Sequence, residues 1–581
     1  MNYWPAVERR SFSRILNNVE LFRFSSDKRA LQLAAQKDHL NILRTVVLLL
    51  SLTTACNLNK PVDNPDPKRA GETEIQSLTS PSPAPTAGSP SLQADPNLAR
   101  VLNPLLDSDA FSTARWGVAV VSLSDGKLIY ERNGDNLFTP ASNMKVYTTA
   151  VALDLLGGDY RWRTSVYSGT EPDASGTIRG DLILYGRGAP DLVSHNQKEN
   201  ANSLDELALA LMQRGVKRIQ GNVVGDESYF RGDEIGDGWQ WNDLQWYFGA
   251  EASALSVNDN EVDINIASPR TLDEKPKIVS SDVDDYVHLN NDMATTRRGE
   301  RFTIGVQRGL SDNDVHVWGE FPLGSGGYGV RLSVHRPALW SAGLFLRALK
   351  AHGISVDGLA KVRDSRIPEA ERFKPDASRE LAFVTSKPLS QIIKQTNKES
   401  INLYAELILR TLGREQAALL PSAGSGRERG DDEAGTALVR LWLSRSGIAN
   451  DRIAIHDGCG LSRLDLVTPK ATAALLFAVH RTPAAEVFKE SLPVAGVDGT
   501  LQGRLGGLAG RVVAKTGTLT YDHSLSGYLT AANGGTFAFS IMCNDSVSKT
   551  GGIRLIDQLV STIANYLQNY ENSRVRREKH G

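Results

Sequence analysis

Residues 139–145 read Thr-Pro-Ala-Ser-Asn-Met-Lys, and residues 146–156 continue as Val-Tyr-Thr-Thr-Ala-Val-Ala-Leu-Asp-Leu-Leu before Gly157 and Gly158 stop the run. The apolar run predicts a helix closed by glycine. At the start of such a helix Ser142 and Lys145 stand three positions apart on one face, so the amine can reach the hydroxyl. A serine hydroxyl is a poor nucleophile at neutral pH. A lysine can take its proton only if burial or a neighbouring cation keeps the amine partly neutral. Ser-x-x-Lys recurs by chance in long chains, so the motif needs partners from elsewhere in the sequence.

Upstream, Trp116–Leu123 and Lys127–Arg132 are strand-like runs joined by Ser124-Asp125-Gly126, which predicts a hairpin preceded by a short helix over Leu98–Leu106. After Tyr160 the pattern changes to short strands: Thr164–Tyr167, Leu182–Tyr185, Val223–Val224, Val262–Ile266, Phe302–Val306, Val315–Trp318 and Tyr328–Val334. Two helices interrupt them, one from a Ser203/Glu206 capping box to Gly215 and one from Pro337 to Gly353. Residues 161–379 therefore read as an inserted α+β block without a catalytic motif of its own. Its Trp239, Trp241 and Trp246 could face a glycan or peptide, but core and turn packing is the simpler expectation.

From Leu389 the chain turns helical again, with Ser400-Ile401-Asn402 leading into a helix over Leu403–Leu412 that Gly413 should end. Residues 421–434 read as a loop before a helix over Ala437–Ser446. Gly458 and Gly460 argue for a tight loop after His456, and Thr468-Pro469 opens a helix to about His480. Arg511–Leu519, containing Lys515-Thr516-Gly517, reads as a strand, as do Leu525–Ala531 and Thr536–Cys543; an amphipathic helix over Ile553–Tyr570 closes the fold.

A chain of 581 residues exceeds one ordinary core and implies two to four domains, while a net charge of −2 offers no basic field for nucleic acid. Cys56, Cys459 and Cys543 give neither metal-ligand spacing nor a disulfide framework, and the ten histidines form no paired motif, so no metal or cofactor is expected. Thr45–Ala55 has the length of an export signal's apolar core rather than of a membrane span. It ends in Thr54-Ala55-Cys56, which resembles a bacterial lipoprotein box with Cys56 as the lipidated residue, although Thr53 stands where leucine is usual. Simple cleavage near Ala55 is the alternative. The proline- and serine-rich stretch 57–97 reads as a tether, and the product as exported to the periplasm or cell envelope.

Three short motifs thus stand in order: Ser142 to Lys145, Ser400 to Asn402, and Lys515 to Gly517. With a helix after the first and a strand carrying the third, they match the set shared by β-lactamases and penicillin-binding proteins. Asp457-Gly458-Cys459-Gly460-Leu461-Ser462-Arg463 and the Leu492–Leu501 run narrow this further. The chain from about Leu98 to Leu567 resembles the D-alanyl-D-alanine carboxypeptidase/endopeptidase family, the class C low-molecular-mass penicillin-binding proteins or S13 serine peptidases. It departs from the family at Cys459, where serine is usual, and at Asp465, where asparagine is common.

The resemblance implies an α+β transpeptidase-like domain, an antiparallel sheet with a helical cluster, built from 98–160 and 380–581 and split by the inserted block. It implies Ser142 as nucleophile, Lys145 as its base, Ser400 and Lys515 as a proton relay, and Asn402 as a ligand of both substrate amide and Lys145. Lys515 would also hold Lys145 neutral by like charge. The Ser142 and Thr518 N–H groups would form the oxyanion hole, and Thr516, Gly517 and Thr518 would border the substrate carboxylate. Substrates would be peptidoglycan stem peptides, and β-lactams would be covalent inhibitors. A β-lactamase would need a water-activating carboxylate that nothing in the sequence marks, and a non-catalytic wall-binding protein would not need all three motifs. A Ser-His-Asp hydrolase lacks a Gly-x-Ser-x-Gly elbow, and His523 is expected to be a loop residue.

Overall fold

Residues 115–132 and 512–544 meet in one antiparallel sheet. Its strand order is Val512–Leu519, Asp522–Thr530, Thr536–Asn544, Arg115–Ser122 and Leu128–Arg132. The expected hairpin supplies the last two strands. The seam runs from Arg115 opposite Asn544 to Ser122 opposite Phe537. The computed structural model describes residues 95–108, 112–193, 202–282, 286–375, 379–421, 430–548 and 550–578. The Thr45–Ala55 run, Cys56 and the proline-rich stretch up to residue 94 lie outside them.

Both faces of this sheet are covered, so its strands are buried along most of their length, polar residues such as Lys515, Ser524 and Ser526 included. Phe537, Phe539 and Ile541 pack with Leu98 and Leu102 of the Pro96–Leu106 helix and with Leu555, Leu559 and Ile563 of the Gly551–Glu578 helix. Ala538 and Met542, one step out of phase, belong to the larger core that contains Met144, Tyr147 and Val151. The Met144–Leu156 helix is buried on every side from Met144 to Leu153, as a central helix with no polar face requires.

Strands between Arg163 and Thr385 pair only with one another among the described residues. The largest of these sheets has the order Ala360–Arg363, Val223–Asp226, Leu182–Tyr185, Arg163–Ser168 and Glu380–Thr385. Several of its companions carry little signal in the sequence. Thr177–Ile178, Arg218–Ile219 and Ser355–Val356 are two residues long, and His288–Thr296 is polar and mostly exposed.

Three helix boundaries differ from expectation. Asn202, not Ser203, caps the Ser203–Gln213 helix, its side chain accepting from the Leu204 N–H. The Asn402–Gln416 helix runs through Gly413, which is there for contact rather than termination: a Cβ would lie 1.8 Å from the Asp431 carbonyl oxygen of the neighbouring helix. That neighbour begins at Asp431, inside the expected loop, because Asp431, Asp432 and Glu433 favour a helix N-terminus. A further short helix, Ala485–Ser491, was not expected.

Candidate active site

Ser142 lies in a single 3₁₀ turn, Ala141–Asn143, that feeds directly into the Met144–Leu156 helix. Ala141 is buried with φ of +50°, a conformation disfavoured for a residue with a Cβ, and it holds the turn tight. Gly460 makes that packing possible, since a Cβ on it would sit 1.8 Å from the Ala141 carbonyl oxygen.

Lys145 is fully buried, and its Nζ is 3.0 Å from Ser142 Oγ, 2.6 Å from Asn402 Oδ1 and 2.8 Å from the Cys459 carbonyl oxygen. Burial lowers its pKa, against the pull of Cys459, Asp457 and Glu406. Asn402 opens the Asn402–Gln416 helix, and its Nδ2 donates to the Phe248 carbonyl at 2.8 Å. Ser400 caps the Leu389–Glu399 helix in the left-handed region at φ +61°. It accepts from Lys515 Nζ at 2.8 Å. Lys515 is also fully buried, and burial together with the charge of Lys145 drives its pKa well below the usual lysine value. All five residues of the three motifs therefore converge on one place.

The Val512–Leu519 strand is the edge of its sheet and lies against the Ser142 turn. Asn143 ties the two: its Nδ2 donates to the Lys515 carbonyl at 3.1 Å and to Ser524 Oγ at 2.7 Å, while Ser524 Oγ donates to the Pro140 carbonyl at 2.6 Å. Gly517 is needed there because a Cβ would stand 2.2 Å from Ser524 Oγ and 2.6 Å from the Pro140 carbonyl oxygen. Thr516 is nearly buried and donates its hydroxyl to Thr500 Oγ1, whereas Thr518 is exposed. His523 is a strand residue opposite Thr518, not a loop residue, and is buried with both ring nitrogens unpartnered. Burial lowers its pKa.

Sequence reasoning missed Asn143 and Ser524, and it read Asp457 only as part of a family run. The Asp457 carboxylate is fully buried and accepts from the Cys459 and Gly460 N–H groups through Oδ1 and from the Ser462 N–H and Trp239 Nε1 through Oδ2. Trp239 and Phe248 thus bring the 161–379 stretch onto the site, packing with Leu519 against Ala405, Cys459 and Leu461. Trp241, by contrast, is 68% exposed and is not packing of the expected kind; Trp246 bridges to Leu332 and borders the core.

Ligand atoms of Glu406, Asp457 and Cys459 lie within 4.8 Å of one another, as do those of Glu227, Glu234 and Asp364, so each set could in principle hold a cation. In the first, N–H donors already occupy Asp457. Burial and the Asp457 charge raise Glu406 to about 7, and burial raises the Cys459 thiol well above its usual value, so neither offers an anion readily.

A family model described as the D-Ala-D-Ala carboxypeptidase 3 (S13) family matches residues 98–566. A D-alanyl-D-alanine carboxypeptidase of Actinomadura sp. (strain R39) is 31% identical over 478 residues, covering 80% of this chain and 84% of that protein. The D-alanyl-D-alanine carboxypeptidase DacB of Haemophilus influenzae is 28% identical over 466 residues, covering 78% and 91%. The crystal structure of penicillin binding protein 4 (dacB) from the same organism superposes with a TM-score of 0.68 at 25% identity, covering 80% of this chain and 99% of that one. The match spans both the sheet that meets the Ser142 turn and the segments that bring Ser400, Asn402 and Lys515 to it, and on that basis the chain belongs to the D-Ala-D-Ala carboxypeptidase 3 (S13) family.

Proposed function

We propose that this protein is a serine-type D-Ala-D-Ala carboxypeptidase and endopeptidase that cleaves peptidoglycan stem peptides through an acyl-enzyme on Ser142. One observation carries the reading: a buried Lys145 amine 3.0 Å from Ser142 Oγ whose other two partners are carbonyl oxygens. Carbonyls only accept. A neutral amine then spends its two N–H groups on Asn402 Oδ1 and the Cys459 carbonyl, and its lone pair faces the serine hydroxyl.

Lys145 takes the Ser142 proton as Oγ attacks the carbonyl carbon between two D-alanines. The oxyanion forms at the Ser142 N–H, near a helix start, and at the Thr518 N–H. As the C–N bond breaks, the leaving amine receives a proton through Ser400 and Lys515, whose direct bond supports such a relay. Water then attacks the acyl carbon, its proton returning through the same groups, and frees Ser142. The edge position of the Val512–Leu519 strand supports binding of an extended peptide alongside it, with the terminal carboxylate near Lys515, Thr516 and Thr518. A β-lactam would acylate Ser142 in the same way but keep its leaving amine tethered. The names of the matched carboxypeptidases and of the penicillin binding protein support this substrate and inhibitor class.

The Thr45–Cys56 sequence supports export to the periplasm or cell envelope with lipidation at Cys56, and residues 161–379 form the inserted region of the enzyme. The test is product analysis on monomeric and cross-linked muropeptides. D-alanine release from the pentapeptide and conversion of cross-linked dimers to monomers are expected. Release of neither product would refute the reading.

A further inference from the structure

The Asp457 carboxylate is the centre around which the 457–462 loop is wound. It is buried, and it accepts from the N–H groups of Cys459 at 3.1 Å, Gly460 at 2.6 Å and Ser462 at 2.7 Å, and from Trp239 Nε1 at 2.9 Å. All four N–H groups point at its two oxygens, which act only as acceptors here. The same loop is pinned from below: Thr148 Oγ1, one turn after Lys145, donates to the Gly458 carbonyl at 2.7 Å, and the Gly458 N–H donates to Glu406 Oε1 at 2.8 Å. What the loop delivers to the site is one atom, the Cys459 carbonyl oxygen, 2.8 Å from Lys145 Nζ.

We propose that Asp457 is a positioning residue for the reaction at Ser142: by gathering the 457–462 loop, with Trp239 as the clamp from the 161–379 stretch, it fixes the Cys459 carbonyl on one N–H of Lys145 and so aims the amine's lone pair at the serine hydroxyl. This rests on the acyl-enzyme reading above. Without that carbonyl the amine keeps one fixed acceptor, Asn402 Oδ1, and is free to rotate about it. The loop's backbone sets the geometry, which explains why the residue at 459 can be cysteine: its carbonyl is used, and its thiol faces Asp457 Oδ2 at 3.4 Å.

Asp457 also acts on Lys145 through charge, in the opposite sense. The charged and titratable groups facing Lys145 are Lys515 from the edge strand, Glu406 from the Asn402–Gln416 helix, and Asp457 and Cys459 from the loop; Asp457 itself is faced by Glu406 and by the buried Asp465, whose carboxyl is pushed up by burial and by the Asp457 charge. Among them Asp457 favours the ammonium form. Removing its charge therefore makes Lys145 easier to deprotonate while leaving it badly aimed. A role confined to structure would not produce that pair of effects.

The experiment uses the full chain and a labelled penicillin at saturation, reading the acylation rate of Ser142 against pH, with thermal unfolding alongside. For Asp457→Asn the plateau rate should fall about 100-fold, the scale of a displacement near 1 Å. Its acidic limb should move to lower pH by about one pH unit. An unchanged plateau, or a reduced plateau with an unmoved limb, would overturn the proposal. If Asp457→Asn does not fold, Trp239→Phe removes one donor to Oδ2 while sparing the loop backbone, and its plateau should fall about tenfold; a wild-type plateau would overturn the proposal. Wild-type protein that takes no label at all overturns the acyl-enzyme reading and this one with it, whereas labelling with unaffected variants overturns only the role of Asp457.

Discussion

Gly517→Ala probes the contact that joins the Ser142 turn to the strand bearing Lys515. The added Cβ would stand 2.2 Å from Ser524 Oγ, 2.6 Å from the Pro140 carbonyl oxygen and 3.1 Å from the Asn143 nitrogen, where ordinary contact begins at 3.4 Å. Ser524 cannot simply rotate away, because its hydroxyl donates to the Pro140 carbonyl and accepts from Asn143 Nδ2. The Pro140 oxygen is backbone and cannot rotate at all. Strand and turn must therefore separate by about 1 Å, a displacement that can cost about 100-fold in rate even when it originates away from the chemistry. It also stretches the Asn143 to Lys515 carbonyl bond from 3.1 Å. Overpacking of this kind costs about 1–3 kcal/mol of stability. The assay is acylation of Ser142 by a labelled penicillin, with denaturant unfolding on the same samples. Adding Ser524→Ala should not restore the rate, since the clash with the Pro140 carbonyl persists. A wild-type acylation rate in Gly517→Ala, or full rescue by Ser524→Ala, would show that this contact does not hold the strand and the turn in register.

Two further outcomes are expected. Lys145→Ala should abolish acylation while preserving cooperative unfolding, because a buried amine is costly to keep; retention of the wild-type acylation rate would remove the proposed base. Glu234, beside Glu251 and Glu227, has its carboxyl pushed up to about 7, first by burial and then by the Glu251 charge. A raised carboxyl pKa contributes stability that is complete below the unfolded value of 4.5 and is lost as pH rises through about 7. Urea midpoints should thus fall as pH rises from 4.5 to about 7 in the wild type and fall less in Glu234→Gln; equal slopes in the two proteins would contradict this.

The sequence displays what recurs locally and hides what is made at long range. Ser142 with Lys145, Ser400 with Asn402, and Lys515 with Gly517 are each short motifs, and the helix and strand that carry the first and third are periodic enough to read directly. Asn143 and Ser524 are ordinary polar residues until the turn and the sheet edge meet, 381 positions apart in the chain. Gly413 reads as a helix end, yet it serves a close crossing that only the folded pair of helices reveals. Trp239 reads as packing and Phe248 draws no reading at all, because nothing local says that the 161–379 stretch returns to the site; the Phe248 carbonyl reaches Asn402 through the backbone, which side-chain identity cannot announce. The two-residue strands and the polar His288–Thr296 strand are legible only through their partners.

Ser142 is proposed as the nucleophile and Lys145 as the base placed to deprotonate it. Peptide mapping by mass spectrometry after reaction with a labelled penicillin tests this assignment most directly. One covalent adduct is expected, on the peptide carrying Ser142, and it should disappear in Ser142→Ala. An adduct on another residue, or none on folded wild-type protein, would contradict it.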